Sequence, residues 1–136
     1  MKTTDFLMCA LGEYGEREIS GELHNPRILD YHRATSLKAT TDEVPWCSSF
    51  VNWVVQRCRT EGTNSAAAIS WMSWGVELQT PCMGCIAVFR RKGGNHVGFF
   101  IRERNGQILI YGGNQGDETS FRWYSKADLL GYRLPK

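Results

Sequence analysis

The stretch Val44-Pro45-Trp46-Cys47-Ser48-Ser49-Phe50-Val51-Asn52-Trp53-Val54-Val55-Gln56-Arg57-Cys58 decides how the rest of the chain is read. Asp42 and Glu43 supply acids before it, Pro45 imposes an extended entry, and Phe50, Val51, Val54 and Cys58 recur at helical spacing. The spacing therefore predicts a helix whose apolar face, counted back, reaches Cys47. A thiol in the first turn of a helix meets unpaired backbone N–H groups and the positive end of the helix dipole. Both favour thiolate and can bind a developing oxyanion. The plainer reading is a small buried hydrophobe. A base elsewhere in the chain has to choose between the two.

Composition narrows the field. The chain has 136 residues, 42% hydrophobic and 22% charged, with 16 Lys and Arg against 14 Asp and Glu. That describes one globular domain, 1–136, with enough chain for a real core. The charges are scattered, so no nucleic-acid partner is implied. No apolar run reaches the roughly 18 residues of a membrane span. The segment Phe6 to Leu11 is too short for a secretory core, and Met8 before Cys9 is a poor lipoprotein site, so synthesis in the cytoplasm without a classical export signal is expected. Five cysteines make an odd number at low density, and reduced thiols are the default.

Upstream of the central stretch, residues 4–14 predict an amphipathic helix stopped by Gly15. Gly21 to Pro26 reads as a loop, and Pro26 to His32 as a short helix with Pro26 in its first turn. His24 and His32 read as structural. Downstream, Glu61 to Ser65 reads as a stop and a new cap, followed by a helix from Ala66 to Trp74. Trp71 and Trp74 share one face of that helix, packing being the first reading and a cleft wall the second. Beyond Pro81 the period changes to that of strands. They are expected at 84–90, 96–103, 107–111 and 120–124, with a short helix at 125–130 and an extended end at 132–134. Helices first and an antiparallel meander second define an α+β domain.

Cys82-Met83-Gly84-Cys85 has zinc and redox spacing but lacks two further ligands, and Cys85 opens an apolar strand; no metal and no cofactor are expected. Gly93-Gly94-Asn95-His96-Val97-Gly98 says more. A histidine opens a strand after a glycine loop, with Gly98 leaving its face bare, and a strand histidine beside a helix-start cysteine suits a general base. Tyr111-Gly112-Gly113-Asn114-Gln115-Gly116 is either a turn or the source of a third group, Asn114, that orients the imidazole. A two-residue loop at Asn105-Gly106 pairs Arg104 with Gln107 and sets His96 opposite Gln115. A three-residue turn with a glycine bulge pairs Glu103 with Gln107 and sets His96 opposite Asn114. The second register brings the amide to the ring and is the expectation.

Pro45-Trp46-Cys47-Ser48-Ser49-Phe50-Val51-Asn52-Trp53, Gly62-Thr63-Asn64-Ser65-Ala66-Ala67, His96-Val97-Gly98-Phe99 and Gly112-Gly113-Asn114-Gln115 together resemble the NlpC-type and CHAP-type cell-wall cysteine peptidases of the papain-like clan. The likeness is to a small subfamily found in phage lysis cassettes and bacterial genomes. It implies a papain-like half-fold, the nucleophile at a helix N-terminus packed on an antiparallel sheet, and peptidoglycan stem peptide as substrate. Trp46 stands where the commonest pattern has Asp, and Asn114 where many relatives carry a second histidine.

The mechanism implied is acyl transfer: Cys47 attacks an amide carbonyl, the Cys47 backbone N–H holds the oxyanion with Tyr31 as a second donor, and His96 serves as acid and base. Trp46, Gln115 and Trp71 are the expected cleft residues. The expected protein is a monomeric endopeptidase or N-acetylmuramoyl-L-alanine amidase, an endolysin or antibacterial effector, that reaches the periplasm or wall through a holin or secretion machinery. An immunity protein is a further expected partner. The rival reading is a non-catalytic wall-binding or toxin-like interaction module of the same fold.

Overall fold

The computed structural model describes residues 3–19, 24–37 and 45–136. The acids Asp42 and Glu43 and most of the loop expected between Gly21 and Pro26 lie outside these residues. Three α-helices come first, α1 (Thr3–Leu11), α2 (Pro26–His32) and α3 (Cys47–Arg57). Asn25 caps α2, its side chain accepting the Arg27 N–H, and Pro26 occupies the first turn, where no N–H is needed. Helix α3 begins at Cys47 as the periodicity required. Its start has no side-chain cap, so its first N–H groups are left for other partners.

The segment from Ala66 to Trp74 is a 3₁₀ helix over Ala68–Ser73 rather than an α-helix. The preceding loop explains this, because its polar groups are committed to α3. The Asn52 side chain donates to Ser48 O, Thr63 Oγ1 and Ser65 O and accepts from the Asn64 N–H. Gly62 lies so close to that amide that a Cβ would stand 2.3 Å from Asn52 Oδ1. A polar residue in the middle of a buried helix is thus fully bonded, as burial demands.

Six antiparallel strands form one sheet in the order β1-β6-β2-β3-β4-β5. They are β1 (Val76–Leu78), β2 (Ile86–Phe89), β3 (His96–Arg104), β4 (Gln107–Gly112), β5 (Ser120–Ser125) and β6 (Leu129–Leu134). Strand β1 was not expected; it is three residues long and lies on the sheet edge beside β6, too short to show a period. The expected helix at 125–130 shrinks to a 3₁₀ turn, Lys126–Asp128, and its end joins β6.

The β3–β4 hairpin corrects the expected register. Asn105 and Gly106 both have positive φ, 51° and 75°, the signature of a two-residue primed turn, and Arg104 pairs with Gln107. A bulge at Ile101 then shifts the pairing by one, so that Phe100 faces Ile110 and Phe99 faces Tyr111. The register expected near His96 is therefore reached, but through a bulge in the strand and not through the turn.

Strand alternation divides the core in two. Val97 and Phe99, with Ile86, Val88 and Tyr111, face the helices and pack on Phe50, Val51 and Val54 of α3. Phe100, with Ala87, Phe89, Ile108 and Ile110, lines the other side together with Tyr132. Each fully buried side chain of this kind contributes about 1.5–3 kcal/mol relative to exposure, so the α3 face alone anchors the helix firmly on β3.

Candidate active site

Cys47 and His96 approach from different sides of the sheet. Cys47 starts the helix packed on one face, while His96, paired with Phe89, turns its ring to the opposite side, where it stacks on Tyr124 at 4.9 Å. Helix α3 packs against β3, the strand that His96 opens. Val97, the residue after His96, belongs to the same core cluster as Cys47, and the backbone N–H groups of Val97, Ser48 and Cys47 favour the thiolate there. Both side chains are buried, Cys47 at 4% exposure and His96 at 0%.

The imidazole is held by Gln115. His96 Nε2 and Gln115 Oε1 are 2.8 Å apart. The amide nitrogen of Gln115 donates to Ile110 O at 3.1 Å and Ser120 O at 2.6 Å. Those two carbonyls can only accept, so the NH₂ end must face them and the oxygen must face the ring. His96 Nε2 then has to carry the proton, and Nδ1 keeps its lone pair. Nδ1 is buried and has no hydrogen-bond partner. A buried acceptor left open is unusual enough to call for a role.

Asn114 is not the group on the ring, contrary to expectation. It has φ 58°, a left-handed conformation that Asn tolerates better than most residues, and this turns the chain so that the next side chain points inward. Gln115 is 2% exposed and is a ring partner rather than a cleft residue. The glycines around it were the available signal. A Cβ on Gly112 would stand 2.8 Å from Gln115 Oε1, and one on Gly98 would stand 2.3 Å from Ile110 Cγ2 and 3.6 Å from the same amide oxygen. The bare face at Gly98 admits Ile110 and the Gln115 amide.

Three other residues expected at the site lie buried in the core. Tyr31 is fully buried and its hydroxyl donates to Glu13 Oε1 at 2.8 Å. Trp46 is equally buried, stacks on Tyr31 and donates to Glu18 Oε2. Gly113 passes so close that a Cβ would lie 2.7 Å from the Trp46 ring. Trp71 is buried too, donating from Nε1 to Ser48 Oγ at 2.9 Å. These rings are core, and they brace the helix start. His32 is structural as expected, with Nδ1 2.9 Å from Ser49 Oγ.

Charge states follow from burial. Desolvation pushes the Cys47 thiol up, outweighing the Val97 N–H, the Arg91 guanidinium and the helix-start N–H groups that pull it down. The helix start favours thiolate, but the sulfur is sealed from water and desolvation outweighs it. Burial likewise lowers the His96 pKa to about 4, with the Gln115 bond opposing and Arg91 adding. At neutral pH the pair is thiol and neutral imidazole. Tyr124, which sequence reasoning did not single out, covers the ring and has its own hydroxyl pushed up to about 12, chiefly by burial. Surface clefts lie at the far hairpin around Asn105 and Trp123 and beside Trp53 and Gln56.

Cys82 and Cys85 are free thiols, and among the described residues no cluster of three or more His, Cys, Asp or Glu is placed to hold a metal. No described helix is long and apolar enough to cross a membrane.

Comparison with known proteins adds two findings. The model of the CHAP domain family matches residues 39–114, which include Cys47, His96 and Asn114. A solved structure from Staphylococcus aureus, described as similar to a lipoprotein of the NLP/P60 family, superposes with a TM-score of 0.59 at 14% identity. The match covers 98% of this chain and 41% of that one, so the chain spans well under half of that protein's length. At that identity the likeness speaks for the fold alone. Among curated proteins none matches.

Proposed function

The chain belongs to the CHAP domain family, a family of cell-wall hydrolases, and from that premise we propose that it cleaves an amide bond of the peptidoglycan stem peptide by thiol acyl transfer. Cys47 is the nucleophile, His96 the acid and base, and Gln115 the residue that positions the ring. The observation that carries this reading is the open Nδ1 of His96. Gln115 holds the opposite nitrogen protonated, and Val97, next to His96 in the chain, packs in the same core cluster as Cys47.

In the proposed cycle the thiol proton passes to His96 Nδ1 as sulfur attacks the carbonyl carbon. The helix-start N–H groups stabilise the oxyanion. The C–N bond breaks, and the imidazolium proton leaves with the amine. His96 then takes a proton from water, hydroxide adds to the thioester, and the C–S bond breaks to restore the thiol. A neutral resting pair suits this sequence, since the base is unprotonated before the substrate arrives. Endopeptidase and amidase chemistry both fit these steps.

Digestion of purified peptidoglycan, with product masses read out, tests the proposal and identifies the bond. Cys47→Ala and His96→Gln should each reduce release by about a thousandfold or more. Full release by Cys47→Ala would end the thiol reading. In cells, the chain fused to an export signal should lyse a susceptible Gram-negative host while its Cys47→Ala form should not. Equal killing by both would support the interaction-module reading. Delivery through a holin or a secretion machinery, as for an endolysin or effector, is part of this proposal.

A further inference from the structure

Four of the five cysteines have no part in the proposed chemistry, and two of them meet across a helix pair. Cys9 lies in α1 and Cys58 is the residue that closes α3. Both are partly buried against the same cluster of core residues. The Cys58 sulfur donates to Asp5 O at 3.7 Å, and each of the two thiols acts on the other's proton affinity. Asp5 is one turn before Cys9 on α1, and a helical side chain leans over the turn N-terminal to it. That contact places the Cys58 sulfur on the patch of α1 that Cys9 covers. Both thiols are free.

We propose that Cys9 and Cys58 form a disulfide that ties α1 to the C-terminal end of α3 when the chain meets a low-molecular-weight disulfide such as oxidised glutathione. One thiolate attacks the glutathione disulfide, forming a mixed disulfide and releasing one glutathione thiolate. The second cysteine thiolate displaces the other glutathione. In sum two protein thiols are oxidised by two electrons, one oxidised glutathione is reduced to two thiols, and two protons move from protein to glutathione. Burial raises both thiols above their ordinary value, with Glu13 adding at Cys9 and Asp5 at Cys58, so exchange runs faster as pH rises.

Cys47 stays outside this pair. It stands at the other end of the 11-residue helix, about 16 Å away at 1.5 Å per residue. The cross-link would close a loop of about 50 residues and restrict the unfolded chain accordingly. The inference does not depend on the hydrolase reading, because it requires no turnover.

The experiment uses the Cys47→Ala chain, oxidised under native conditions with oxidised glutathione and digested after alkylation. The expected product has lost two hydrogens, carries Cys9 and Cys58 in one linked peptide, and melts about 10 °C higher than the reduced form, a rise that reductant reverses. Adding Cys82→Ser and Cys85→Ser should leave the cross-link and the rise intact, whereas adding Cys58→Ser should remove both. Recovery of Cys9 and Cys58 as alkylated thiols or stable glutathione adducts, or a link confined to Cys82 and Cys85, overturns the proposal.

Discussion

His96 should make the fold sensitive to acid over a range where ordinary surface carboxylates contribute little. Its pKa falls from an ordinary 6.5 to about 4 on burial. Because the folded value is depressed, the stabilisation is fully present above pH 6.5 and is lost as pH falls toward 4, the range in which the unfolded chain binds a proton that the folded one does not. The shift of about 2.5 units corresponds to about 3 kcal/mol at its limit. About 2 kcal/mol of that should already be lost by about pH 5.

His96→Gln removes the titration, and whatever it costs in packing is nearly independent of pH. The quantity to measure is therefore the difference in unfolding free energy between wild type and His96→Gln, by urea denaturation at about pH 7, 6, 5 and 4. Other titrating groups are common to both proteins and cancel. The wild type should lose ground to the variant by about 2 kcal/mol between pH 7 and 5, or about 7 °C in Tm for a chain of this size. A difference that stays flat across this range would refute the claim that the ring is buried and neutral, and with it the open Nδ1 on which the proposed base rests.

Three further variants test the supporting structure. Gln115→Leu strands the His96 Nε2–H, Ile110 O and Ser120 O and should cost about 2–4 kcal/mol in denaturant unfolding. Gln115→Glu should instead raise the His96 pKa and move the acid limb of kcat/KM upward from about 4, and an unmoved limb would show that Gln115 does not act on the ring. Asn52→Leu leaves Ser48 O, Ser65 O and the Asn64 N–H without their buried partner and should destabilise the chain by about 3 kcal/mol, measured the same way; a loss under about 1 kcal/mol would mean the loop relaxes to find other partners.

What could be read directly from residues was whatever depends on periodicity and local chemistry. The helix beginning at Cys47 was legible from Phe50, Val51 and Val54, and the strand beginning at His96 from the glycine loop before it and the apolar run after it. The α+β order followed from the change of period near Pro81. These features persist because each is imposed by neighbours three or four residues away, or two along a strand.

Tertiary structure decided which polar atom meets which. Asn114 and Gln115 are both amides after the same glycines. Only the bulge at Ile101, the end of β4 at Gly112 and the positive φ of Asn114 turn Gln115 toward His96. Trp46 and Trp71 resemble cleft residues until the paths of Gly113 and Ser48 show them to be sealed in the core. The helix start promised a thiolate, yet burial of the sulfur between α3 and β3 outweighs the dipole, because desolvation depends on everything packed around a group and the dipole only on its own helix. Contacts between residues far apart in the chain are set by how two faces fit, and no local pattern carries that information.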